Sequence, residues 1–135
     1  MSAPTVSEEA RALARDVELV DLHIDTMIPP RLWGYDPLER HPGAILGGRF
    51  FGHLDVPRMF EGGLSGAMWS ITTNPFRGAK KRWAVFQRNL QRLRDLVARS
   101  EGQLAFARTR REYDAVRATG AHAVMLAIQG GNALQ

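Results

Sequence analysis

Cysteine is absent from this chain of 135 residues. That excludes a disulfide framework, a thiolate metal site and a cysteine nucleophile. Any metal must then be held by His, Asp or Glu, a donor set that suits Zn, Mn or Fe rather than an iron–sulfur cluster. No apolar run approaches the ~20 residues of a membrane helix. Residues 1–16 carry Glu8, Glu9 and Asp16 and lack the apolar centre of a signal peptide, so the expected compartment is cytoplasmic, with no membrane segment. There is also no Gly-x-Ser-x-Gly elbow, no phosphate-binding P-loop, no internal repeat and no low-complexity tract.

What is present suits a folded domain. Hydrophobic residues make up 44% and charged residues 24%, enough to bury a core in one modest domain. The net charge is +4, and arginines crowd between Arg77 and Arg117. A basic face can meet nucleic acid or an anionic surface, or it can be a solvated helix face. Neither zinc-finger spacing nor an aromatic platform accompanies the charge, so no nucleic-acid partner is expected.

Ser7, followed by Glu8 and Glu9, opens a helix to about Arg15, with Ser as N-cap and the acids on the positive end of the dipole. Residues 18–24 read as a first strand. Residues 27–53 contain Pro29, Pro30, Pro37 and Pro42 and several glycines, which predict a long loop. Trp33, Tyr35, Phe50 and Phe51 give it apolar anchors, as in a packed cover over a site. Asp55 caps a short helix with Pro57 in its first turn, and Gly62 and Gly63 end it. Residues 64–71 read as a second strand. Over residues 79–100 the spacing of Trp83, Phe86, Leu90, Leu93 and Val97 predicts one apolar helical stripe. Residues 104–107 suggest a short extended piece. Thr109 and Glu112 form a capping box for a helix to about Thr119, and residues 121–128 are a third apolar run. Strands alternating with helices imply parallel pairing. The predicted class is α/β: the N-terminal part, about three strands, of a (β/α)8 TIM barrel, whose full form needs ~250 residues. The 135 residues are expected to be a single partial domain.

The chemistry-bearing residues gather at strand ends. Leu19 to Ile24 leads into Asp25 and Thr26, and His23 and Asp25, two apart on a strand, point to the same face. They can share one divalent metal, or form a hydrogen-bonded structural pair. Barrel strands carry their active residues at this C-terminal end. His53 and Asp55 repeat the pattern, but Asp55 serves as a helix cap and the structural reading is preferred. Gln129 ends the third run where Asp25 ends the first. It offers a neutral carbonyl and an amide donor, able to orient water or substrate, or to coordinate weakly. Trp69, Ser70, Thr72 and Thr73 could line a pocket, with Trp69 equally suited to core. His122 begins its strand and belongs to the stability end.

Three blocks carry a resemblance: residues 20–26 around His23 and Asp25, residues 52–70 from Gly52 to Ser70, and residues 127–134 around Gln129. In this order and spacing they resemble the membrane (renal-type) dipeptidase family. The resemblance implies a metal-dependent (β/α)8 barrel of amidohydrolase type that hydrolyses dipeptides with a pair of zinc ions joined by a bridging glutamate. His23 and Asp25 match the first two ligands. Gln129 stands where the bridging glutamate would be, which counts against the second ion. The implied cofactor is zinc, one or two ions, and the implied partner a small dipeptide-like substrate. The family's remaining metal-binding histidines and catalytic aspartate lie further along such a chain, so no catalytic residue beyond Gln129 is expected within these 135.

Two readings follow. One is a metallo-dipeptidase, a hydrolase of dipeptides or related small amides. The other is a non-catalytic barrel relative with a binding or structural role, because Gln129 replaces the glutamate. The isolated 135 residues are expected to show little or no activity, and their uncovered edges to favour association, including a homo-oligomer.

Overall fold

A computed structural model of the chain describes residues 6–25, 27–28, 34–41, 54–74, 76–129, 131 and 134. The elements in order are helix α1 (Glu8–Asp16), strand β1 (Leu19–Ile24), helix α2 (Val56–Glu61), strand β2 (Leu64–Thr72), helix α3 (Ala79–Arg99), strand β3 (Leu104–Phe106), helix α4 (Arg110–Ala118) and strand β4 (His122–Gln129). All pairings are parallel, in the order β1-β2-β4-β3. The α/β class and parallel sheet are as the sequence predicts. The strand count among the described residues is four, not three. The short piece at 104–106 pairs with residues 122–124 at the start of β4.

Helix starts are set locally. Ser7 accepts from the Ala10 N–H, Asp55 from the Arg58 N–H, and Thr109 from the Glu112 N–H, each filling an orphan donor of the first turn. The Glu112 carboxylate accepts from the N–H of Arg108 and also from that of Thr109, which completes the predicted capping box. At the turn into β2, Gly63 has φ +71°, and an added Cβ would lie 3.1 Å from the Ala14 carbonyl oxygen. Only glycine fits both constraints.

The sheet has two unlike faces. On one, Ile24, Ala67, Trp69 and Val124 pack against Val56 and Met59 of α2 and Leu93 and Leu96 of α3, all buried. The buried positions of α3 are Val85, Phe86, Asn89, Leu93 and Leu96. The predicted stripe is therefore rotated. Phe86 and Leu93 lie at its centre, Leu90 and Val97 flank it, and Trp83 is 45% exposed, stacked on Phe86 at 5.5 Å. Asn89 holds a buried position that a count of apolar residues skips. Trp69, fully buried, is core. Its indole N–H donates to His122 Nε2 at 3.1 Å, and His122 Nδ1 lies 3.0 Å from the Leu64 carbonyl oxygen. An indole can only donate and a carbonyl only accept, so His122 is a neutral ring with its proton on Nδ1. Burial holds its pKa down at about 4.

On the other face, Tyr113 of α4 packs with Ala107, Ala123, Val20 and Met125 near the strand starts. An added Cβ on Gly66 would meet the Tyr113 ring at 3.0 Å, so the ring rests on bare backbone. Burial raises the Tyr113 pKa. Among the described residues this face is more open above this point, where His23 and Gln129 are exposed although Ser70 is buried.

Residues 34–41 are tied down on the helix side. The Tyr35 hydroxyl donates to the Leu54 carbonyl at 2.9 Å, His41 stacks on Tyr35, and Leu38 joins the core. Asp36 pairs with Arg99, whose hydrogen bonds hold the Asp36 carboxyl below its usual range. The predicted covering loop falls mainly on residues outside those described, including Trp33, Phe50, Phe51 and His53.

Candidate metal centre

β1 does not run evenly along β2. Asp21 lies beside Ala67 and Ile24 beside Trp69, so three steps on β1 match two on β2. Leu22 and His23 together face Met68, which is a β-bulge. An opposite irregularity lies below it, where Leu19 and Val20 pair with Leu64 and Gly66, so the two strands finish level. The Asp21 carboxylate accepts from the His23 N–H at 2.9 Å and caps the backbone at the bulge. Val20 below the bulge and His23 and Asp25 above it thereby share the open face, while Ile24 faces the core. The shared direction of His23 and Asp25 is as the sequence predicts. Asp21, which supports it, was not anticipated; its signal was an acid two residues before a histidine in an apolar strand.

At the C-terminal end of the sheet His23 Nε2 lies 3.2 Å from Asp25 Oδ2, with both side chains part-exposed. β2 contributes two hydroxyls at the same spacing of two. Ser70 Oγ is 3.2 Å from His23 Nδ1, and Thr72 Oγ1 is 2.5 Å from Asp25 Oδ1. From β4, Gln129 Oε1 lies 2.6 Å from Thr72 Oγ1, following the register that pairs Thr72 with Gln129. His23, Asp25 and Gln129 are thus brought together across three strands, joined by Ser70 and Thr72. Thr73 is buried just past the strand end.

Asp55 stands apart from this cluster. It is fully buried. Burial opposes its charge, but the N–H groups of His41 and Arg58 and the Arg58 guanidinium outweigh that and lower its pKa. Its cap role is as predicted. His53 lies outside the described residues.

The donors fit a cation. Two ligands of a tetrahedral zinc at ~2.0–2.1 Å stand about 3.3 Å apart, against 3.2 Å between Nε2 and Oδ2. When Nδ1 donates to Ser70, Nε2 keeps its lone pair for a metal. No cluster of three or more His, Asp or Glu occurs among the described residues, and Gln129 brings no charge.

Residues 7–135 match the family model described as membrane dipeptidase (Peptidase family M19). The chain belongs to this family. Two solved structures resemble this member. One is the dipeptidase AC, a metallo peptidase of family M19, with TM-score 0.69 and 24% identity over 87% of this chain and 36% of that one. The other is a metallo peptidase from Rhodobacter sphaeroides, liganded with a phosphinate mimic of the dipeptide L-Ala-D-Ala. Its TM-score is 0.69 and its identity 21%, over 87% of this chain and 39% of that one. These likenesses establish the fold, the N-terminal part of the M19 dipeptidase barrel. The chain spans less than two fifths of either protein's length. A search of curated proteins found no match. Among the described residues no helix is long and apolar enough to cross a membrane.

Proposed function

We propose that these residues are the N-terminal part of a (β/α)8 metal-dependent hydrolase that cleaves dipeptides or related small amides, with His23 and Asp25 as ligands of one zinc ion. The observation that carries this reading is the 3.2 Å approach of Nε2 to Oδ2 at the C-terminal end of a parallel sheet. Family membership supports the substrate class, as does the dipeptide mimic in the Rhodobacter sphaeroides enzyme. A bound divalent cation supplies carbonyl polarisation and a lowered water pKa. His23 contributes a neutral nitrogen and Asp25 the negative charge. Ser70 orients the imidazole. Gln129 offers a hydrogen bond to water or to a substrate carbonyl, but no charge to hold a second cation.

The test is metal content together with turnover. The full-length protein should bind one zinc ion per chain and hydrolyse a dipeptide. Zero bound ions would remove the reading, and two would restore a paired centre despite Gln129. A second reading, a barrel that binds without catalysis, is favoured by the neutral Gln129–Thr72 contact. One bound ion with no turnover across a dipeptide panel would select it.

A further inference from the structure

Thr72 Oγ1 lies within hydrogen-bonding distance of both Asp25 and Gln129. A hydroxyl carries one proton, and a carboxylate has none to give. The proton of Thr72 therefore goes to Asp25 Oδ1. The structure sets Gln129 Oε1 toward the same hydroxyl; with the single proton committed to Asp25, a half-turn of the amide that presents its NH2 group completes the chain, since the hydrogen-bond network decides which end of an amide faces its partner. The order across the sheet is amide to hydroxyl to carboxylate. This fixes the Asp25 plane, with Oδ1 engaged by Thr72 and Oδ2 left toward His23 Nε2. Threonine suits the task because its β-branched side chain holds few rotamers on a strand.

We propose that Thr72 is the positioning residue of this centre, holding Asp25 in ligand geometry while joining it to Gln129, so that Asp25 Oδ1 is not offered to a second cation. The inference rests on the proposed one-zinc reading. It adds that a neutral hydroxyl–amide bridge steadies the carboxylate. Outer partners of this kind typically change metal affinity ~10–100-fold.

The test is zinc affinity in the full-length protein, measured by competition with a chromogenic chelator. T72V keeps the shape and removes the hydroxyl, and T72A serves if T72V does not fold. Either should weaken binding by ~10–100-fold, and T72S should recover most of it. The unfolding midpoint without metal should stay near that of the parent, while the rise on adding zinc shrinks. Parent-like zinc affinity in T72V would overturn the inference, as would a fall in the metal-free midpoint with no recovery in T72S. A parent protein that binds no zinc would instead remove the functional reading itself, so the two failures are distinguishable.

Discussion

Two histidines mark opposite ends and opposite faces of the same sheet. His122 starts β4 among the helices, fully buried, with each ring nitrogen committed to one partner. His23 is near the end of β1 on the open face, half-exposed, with one nitrogen beside a serine and the other beside a carboxylate. An imidazole whose two partners are a fixed donor and a fixed acceptor is held in one tautomer and has nothing left to bind. One flanked by a hydroxyl, which can give or take a proton, can carry its own proton on Nδ1 and free Nε2 for a cation. What separates a core histidine from a ligand here is its partners, and these follow from its place along the strand.

The contrast can be broken most strongly from the buried side. Trp69→Ala removes the indole that donates to His122 and opens the core, and should cost ~3–5 kcal/mol, read as a lower urea midpoint. Acid should act on the same residue. Because the folded pKa of His122 is about 4 against an unfolded 6.5, its stabilisation is present above pH 6.5 and is lost as pH falls through about 4. The loss should reach on the order of 3 kcal/mol and should shrink in His122→Asn. Asp36 and Asp55, with lowered values, lose their share only below the unfolded carboxyl range of ~3.9.

The exposed histidine should behave the other way. His23→Ala should leave the metal-free unfolding midpoint within ~0.5 kcal/mol of the parent, yet weaken zinc binding by more than the ~100-fold of an outer partner. Equal zinc affinity in that variant would erase the distinction between the two rings. A small stability effect is also expected for Gln129→Glu. It sets a second carboxylate near Asp25, so the metal-free protein should lose under ~1 kcal/mol while bound zinc rises from one ion per chain to two. Metal analysis and a denaturation curve read both.

What the sequence alone made legible was local. Ser7, Asp55 and Thr109 cap helices because each bond spans a few residues. The common face of His23 and Asp25 follows from strand alternation, and His122 reads as structural from its place at the strand start. Long-range features were hidden. The Thr72–Gln129 contact requires the β2–β4 register, which no short pattern encodes. Residues 104–106 become a strand only through β4. The stripe on α3 holds at Phe86, Leu90, Leu93 and Val97 and departs only where Asn89 is buried and Trp83 lies at its outer margin.

The bulge at Leu22 and His23 has a consequence for tolerated change in β1. Leu22 is 72% exposed and is the surplus residue in the match to β2. Deleting it would let Asp21, His23 and Ile24 meet Ala67, Met68 and Trp69 one for one, with the imidazole still outward. Losing the Asp21 carboxylate keeps the surplus and strips its clasp. At this spot chain length is negotiable and one acid is not, so ΔLeu22 should retain zinc where Asp21→Ala sheds it.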